Sequence, residues 1–366
     1  MRLILVFIVF LFFNSCKQYQ AEVVLPISID VTKDIAIPKH YIVTKTNTPI
    51  KVDGLAEEAS WKNALYTSSF IDIEGIKTPK FNTKAKMLWD DKFLYVYAIM
   101  EEPHIWGDIT KRDAIIYLNN DFEVFIDPSK TGFGYGEVEI NALNTVWDLF
   151  LDKPYRVGGK ANFHWDLKDL KSAVHIDGTL NNPNDIDNYW ALEIAIPLKP
   201  LINLKNKPKT APKEGEQWRL NFSRVEWDFD IVDDTYQRKK VVNKLQREYN
   251  WVWSNQKVIN MHEPEKWSYI QFTNQENSDK VDFIEDEDIL IKQAAYALFR
   301  KTRYQDLKHF LDKPVNSKLD IEVSYSETDI LIGEFLKTNF GFEYKIKSPI
   351  TEAFYIINEQ GNLKQL

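Results

Sequence analysis

Cysteine is almost missing from this sequence: Cys16 is the only one among 366 residues. That excludes an internal disulfide framework and a zinc site built on several thiolates. Basic excess is missing too. Lys and Arg number 46 against 54 Asp and Glu, for a net charge of −8. A polyanion partner needs a basic face, so nucleic acid is excluded as the expected ligand. Glycine is scarce at 13 residues, and no phosphate loop, dinucleotide fingerprint or Gly-x-Ser-x-Gly elbow occurs. The histidines His104, His164, His175 and His262 are scattered without the close ligand spacing of a transition-metal site. Beyond the first fifteen residues no apolar run is long enough to span a bilayer as a helix.

Aromatic residues are abundant instead. Eleven Trp, 17 Tyr and 22 Phe make up 14% of the chain, with 44% hydrophobic and 27% charged residues overall. This mix predicts a folded, aromatic-rich β protein rather than a disordered chain or a nucleotide-binding α/β fold.

Arg2 precedes an apolar run from Leu3 to Phe13, followed by the polar pair Asn14-Ser15. That is the layout of a signal peptide, predicted over residues 1–15. Phe13-Asn14-Ser15-Cys16 resembles a bacterial lipobox. The resemblance implies cleavage before Cys16, lipidation of Cys16, and an anchored protein outside the cytoplasm at the cell envelope, with the outer membrane as the expected site. The membrane would then be a partner through the lipid anchor only.

Residues 16–40 carry Pro26 and Pro38, lack glycine and show no clear period, which predicts a tether. From 41 to 275 the chain reads as short alternating apolar runs divided by turn residues, the pattern of a mainly β, antiparallel β-sandwich. Ala85–Trp89 and Phe93–Met100 flank Asp90-Asp91-Lys92, a hairpin signal. All eleven Trp lie between Trp61 and Trp267. After that composition shift, residues 285–366 read as a small C-terminal α+β appendage. It has one buried helix within Glu285–Lys313 and three strands, at Ile321–Tyr325, Phe342–Ile346 and Ala353–Ile357.

Several segments, in order, carry a family resemblance. Ile50-Lys51-Val52-Asp53-Gly54-Leu55 is followed by Trp61. Leu88-Trp89-Asp90-Asp91-Lys92-Phe93-Leu94-Tyr95 and Asn120-Asp121-Phe122-Glu123-Val124-Phe125-Ile126-Asp127-Pro128 come next. Glu137–Thr145, Glu193–Pro197, Trp218–Arg224 and Asn260–Trp267 complete the set. Together they resemble family 9 carbohydrate-binding modules and their DOMON-like relatives. The resemblance implies a jelly-roll-like sandwich that binds a poly- or oligosaccharide. It also implies glycoside hydrolases as partners and a supporting place in carbohydrate catabolism. Sugar-binding members clamp a sugar between two Trp; the corresponding places here hold Tyr117-Leu118 and Met261. Glu123 and Asn141 match the family's polar positions, while Glu139 stands where Arg is frequent.

Sugar recognition needs flat aromatic faces and planar polar side chains. Trp106, between Pro103 and Gly107, has loop context and is expected to be exposed and to supply the stacking face. Trp147, Tyr155 and Trp165 surround the loop 152–162, which carries Arg156. Period-two alternation puts Glu137, Glu139 and Asn141 on one strand face, and Arg219, Asn221 and Ser223 on another. If the two faces join, they form a polar floor, with Arg224 and Trp227 at its rim. Trp89, Trp190, Trp218 and Trp267 are expected to be core.

Other readings compete. A carboxylate pair drawn from Glu123, Glu139, Glu193 and Glu226 could serve O-glycosyl hydrolysis. A structural or interaction module is the second alternative. The Asx-rich loop Asn181–Asn188 offers Asp185 and Asp187 as candidate oxygen ligands for calcium.

Overall fold

The computed structural model describes residues 25–366. The expected signal peptide and Cys16 lie outside the described residues. Among those described, no helix is long and apolar enough to cross a membrane.

Short two-faced runs pair into one thirteen-stranded sheet that folds over on itself. One half runs Lys171–Asp177, Tyr189–Pro197, Phe93–Glu101, Thr83–Trp89, His40–Lys45. The other runs Ser268–Phe272, Gln217–Glu226, Asp121–Asp127, Tyr135–Asn141, Val146–Leu151, Ala161–Asn162, with Tyr249–Val252 and then Ile71–Asp72 branching off Gln217–Glu226. The halves join where His40–Lys45 lies parallel to Ser268–Phe272, with Tyr41 opposite Ile270.

Alternation decides which side chains fill the space between the halves. Met87 and Trp89 turn inward from one strand, Trp190, Leu192 and Ile194 from another, and Phe122, Val124 and Ile126 from a third. Trp218, Leu220 and Phe222, on the strand next to Phe122, Val124 and Ile126, complete the second half's contribution. Each such buried side chain contributes roughly 1.5–3 kcal/mol. Trp89, Trp190 and Trp218 are core, as expected, and Trp267 is buried in a second cluster on the far face of the sheet. Asp90 closes the expected hairpin: its Oδ1 accepts the N–H groups of Lys92 and Phe93 at 2.7 and 2.8 Å.

The C-terminal unit packs the helix Ile289–Tyr304 on a six-stranded sheet. Ala294, Ala295 and Ala297 are fully buried, and their small side chains allow close approach of the backbone to its surroundings. The α+β expectation is met, with two strands beyond the three expected, Ile330–Lys337 and Leu363–Gln365. A sixth strand corrects the tether: Ile27–Asp30 pairs in parallel with Lys318–Ser324, Ile27 opposite Ile321. Alternation over four residues is too short a signal to reveal a partner 294 residues away.

Candidate functional site

The strands Asp121–Asp127 and Tyr135–Asn141 each have two faces. Phe122, Val124, Val138 and Ile140 enter the core, so Asp121, Glu123, Glu137, Glu139 and Asn141 point the other way. Register sets Glu123 opposite Glu139 on one side and opposite Ser223 on the other. The two polar faces expected from alternation therefore join through Asp121–Asp127.

On this outward face lies an open cleft of about 460 Å³. Glu123, Glu137 and Glu139 line its floor. Tyr117, Trp147 and Phe163 form an aromatic ledge along it. Tyr117 stacks on Trp147 with centroids 6.4 Å apart, and Trp147 on Phe163 at 5.7 Å. Tyr117 and Phe163 are 40% and 55% exposed, so both offer ring surface to a ligand. Tyr155, Met261 and His262 line the cleft as well, with Arg247 and Glu248 among its residues.

The ledge is anchored from below. Trp227 Nε1 donates to the Tyr117 carbonyl at 2.8 Å, and Glu139 Oε2 accepts the Tyr117 N–H at 3.0 Å. His262 Nδ1 sits 2.9 Å from the Tyr135 hydroxyl, and its ring meets Tyr155 edge-on at 4.5 Å. Burial, aided by nearby Arg156, pushes the His262 imidazole down to about 3, so it is neutral. The acids go the other way. Burial holds the carboxyls of Asp121, Glu137 and Glu139 well above the usual carboxylate range, and Glu123 at about 7.

Glu123 and Glu139 thus line the cleft. Asn141 shares their face but is spent on structure. Its Oδ1 accepts the Leu143 and Thr145 N–H groups, and its Nδ2 donates to the Ile109 carbonyl at 2.8 Å. The remaining candidates are corrected by their packing. Trp106 is on a loop but only 4% exposed, stacked on Tyr236 at 6.0 Å and clustered with Trp227. The hairpin of Phe229–Val232 and Thr235–Arg238 covers it, which a local reading around Gly107 could not reveal. Trp227 is buried in the same cluster rather than at a rim. Trp165 packs on the opposite side of the sheet, against Gly136 and the core.

Arg156 is buried behind the cleft, paired with Glu263 and Glu265 at 2.9 and 2.8 Å. Arg219 donates to the Glu265 carbonyl at 2.8 Å and lies over Tyr269, beside the C-terminal unit. Asn221 exchanges two hydrogen bonds with the Ser254 backbone. Arg224 is fully buried on the other face, held by Glu102 and Glu226 at 2.8 and 2.9 Å. Glu193 is fully buried too, accepting from Trp61 Nε1 and the N–H groups of Asp53 and Gly54. In the Asx-rich loop, Asp187 accepts the Thr179 and Ile105 N–H groups, and Asp185 accepts the Thr179 hydroxyl. These carboxylates pin a turn, the commoner use of such loops.

Sequence reasoning missed Phe163 and set Tyr117 aside. The signal for Tyr117 was its place beside Leu118, one residue from a position already singled out.

A family model for the carbohydrate family 9 binding domain-like family matches residues 52–267. A stretch of 79 residues is 35% identical to endo-1,4-beta-xylanase C of Paenibacillus barcinonensis, covering 22% of this chain and 7% of that enzyme. Among solved structures, a candidate carbohydrate-binding protein from Bacteroides uniformis aligns over 64% of this chain and 99% of its own, with TM-score 0.47 and 14% identity. A family 9 carbohydrate-binding module from Caldicellulosiruptor kristjanssonii, in complex with cellotriose, aligns over 68% of this chain and 100% of its own, with TM-score 0.42 and 17% identity.

Proposed function

The chain belongs to the carbohydrate family 9 binding domain-like family, and from that premise we propose that it binds an oligo- or polysaccharide in the cleft above Glu123 and Glu139. One observation carries the reading: an aromatic ledge with exposed ring faces stands beside buried carboxylates in an open cleft. Ring faces cover the C–H patches of a pyranose, and carboxyl groups bond its hydroxyls. The open form suits a polymer segment rather than an engulfed small molecule. Tyr117 and Phe163 take the stacking role once assigned to Trp106. The binding is non-catalytic in this reading and supports polysaccharide capture, alongside glycoside hydrolases, by a lipoprotein held at the envelope through Cys16.

A glycan array followed by titration calorimetry tests it. An exposed aromatic–sugar stack is worth roughly 1–3 kcal/mol, so Tyr117→Ala weakens binding about 5- to 150-fold. Full affinity in both Tyr117→Ala and Phe163→Ala would remove the cleft from consideration. For the anchor, Cys16→Ala shifts the protein from the membrane fraction to the soluble fraction. Hydrolysis is the second reading, favoured by the pairing of Glu123 with Glu139 in a buried site that raises both carboxyls. Incubation with a polysaccharide panel is expected to release no reducing ends. Turnover that vanishes in Glu123→Gln would establish the enzyme instead.

A further inference from the structure

Away from the cleft, a second hollow of about 400 Å³ opens between the sandwich and the C-terminal unit. Arg219 and Lys130 line it from the sandwich, Tyr296 and Lys292 from the helix Ile289–Tyr304. Arg219 is only 3% exposed, yet among the described residues no carboxylate pairs with it. Asp127 and Glu265, whose charges act on it, are occupied elsewhere. Asp127, opposite Arg219 in register, accepts the N–H groups of Ser129, Lys130 and Gly132. Glu265 pairs with Arg156 and Arg300. A buried charge without an opposite partner is costly, so this one stands out.

The free donors of Arg219 have a definite shape. Its Nη1 donates to the carbonyls of Glu265 and Trp267 at 2.8 and 3.2 Å, while Nε and Nη2 complete no hydrogen bond among the described residues. Those two N–H groups share one edge of the guanidinium, the fork that takes both oxygens of a carboxylate. The Tyr269 ring lies against the guanidinium, 4.5 Å from centroid to Cζ, and holds its plane. A second sign comes from the other unit. Tyr296 is 5% exposed, lines the same hollow, and its hydroxyl completes no hydrogen bond among the described residues. Lys130 likewise has no acidic partner there, and its turn is pinned by the Asp127 carboxylate at 2.9 Å. Two acids lie on the wall. Asp286 is paired with Lys292 at 2.5 Å, and Glu285 is exposed. Two unpaired cations therefore face one solvated acid.

We propose that Arg219, Lys130 and Tyr296 bind the carboxylate of an acidic sugar, a uronate unit, in this hollow. The fork of Arg219 takes the two carboxylate oxygens, and Lys130 and Tyr296 donate to the same group. The volume is in the range of small-molecule sites and admits a single sugar ring. That the carrier is a sugar rests on the saccharide reading above; that the site takes a carboxylate rests on its donors alone. Because the partners come from both units, the bound acid ties the helix to the sandwich.

The test is calorimetric titration with sodium glucuronate, glucose, sodium acetate and inorganic phosphate at fixed ionic strength, paired with thermal melts. Each titration is run in the wild type and in Tyr117→Ala, where the cleft is disabled. The expected result is one saturable glucuronate site in both proteins, with a higher melting temperature when it is filled. In Tyr117→Ala, glucose, acetate and phosphate each bind at least about tenfold more weakly than glucuronate. Arg219→Lys keeps the charge but loses the fork, and lowers glucuronate affinity about tenfold or more. Lys130→Ala and Tyr296→Phe lower it about three- to tenfold. Lys130→Ala melts like the wild type without ligand, since its side chain holds nothing in the fold. Absence of glucuronate binding overturns the proposal. Binding that is intact in both Lys130→Ala and Tyr296→Phe overturns it as well, as does binding lost in Tyr117→Ala, which moves the acid to the cleft. Acetate as tight as glucuronate overturns the sugar, and phosphate tighter than glucuronate overturns the carboxylate. Glucuronate bound here while no neutral glycan binds the cleft sustains this site and removes the cleft reading alone.

Discussion

Replacing Glu265 with Gln strikes the point where the sandwich grips the C-terminal unit. Glu265 is 2% exposed. Its Oε2 accepts from Arg156 Nη2 at 2.8 Å, and its Oε1 accepts from Arg300 Nη1 on the helix Ile289–Tyr304. Its carbonyl takes further bonds from Arg219 and from Gln293 of the same helix. Two buried guanidinium groups thus face two buried carboxylates, Glu263 and Glu265. Glu265→Gln leaves one positive charge uncompensated. Breaking one side of a buried ion pair costs about 3–5 kcal/mol, and the Gln oxygen keeps one bond, so a loss of about 2–4 kcal/mol is expected. A second route gives a similar size. Burial alone would raise the Glu265 carboxyl, but Arg156 and Arg300 outweigh it and hold it at about 2, against an ordinary 4.5. A depressed acid stabilises the fold above its unfolded pKa, and that stability is lost as pH falls from 4.5 through 2. The full amount is about 3 kcal/mol. Urea unfolding of both proteins from pH 7 to pH 3 checks this. The gap between them should be widest at neutral pH and narrow on acidification. A variant within about 0.5 kcal/mol of wild type at pH 7, or a gap indifferent to pH, would refute the reasoning.

Trp106→Ala should cost about 2–4 kcal/mol of stability, because the ring is buried in an aromatic cluster, while glycan affinity stays within about twofold. Thermal melts and calorimetry on the same preparation separate the two. Glu193→Ala should cost about 3 kcal/mol or more by leaving the Trp61 indole and two backbone N–H groups without their acceptor; denaturant melts measure it. Burial keeps the Glu123 proton on until about pH 7 in the folded state, against 4.5 unfolded. The folded state binds the extra proton, so stability falls as pH rises from 4.5 to 7, and Glu123→Gln should flatten that decline in melts across the range.

Period-two alternation made the sandwich legible because most of its strands bury one face and turn a different chemistry to the other. It also placed Glu139 and Ser223 on faces that could join, and register did join them through Glu123. The same parity assigns Arg224 to the face of Leu220 and Phe222, where its charge is absorbed by Glu102 and Glu226. Reading it as a rim residue gave charge more weight than position. Trp106 was misjudged for a different reason: its cover arrives from Tyr236, 130 residues on in the chain, and local turn residues say nothing of it. The strand Ile330–Lys337 escaped notice because Ile330 and Ile332 are exposed, so apolar residues fall on both of its faces. The ledge needed Tyr117, Trp147 and Phe163 to converge from three separate segments, which spacing cannot encode.

The strand Ile27–Asp30 has a mechanical meaning. It forms one edge of the C-terminal sheet, and Leu363–Gln365 forms the other, so the sandwich is spliced into the connection between them. A pull on the chain ahead of Ile27 reaches this sheet before it reaches the cleft. Four residues are clipped in parallel register to Ile321–Ser324. Tension along the strand loads that whole ladder at once instead of peeling it bond by bond. The clip therefore shields the cleft from strain until it slips. In a single-molecule pulling trace it should give a small first rip, with the sandwich still closed behind it.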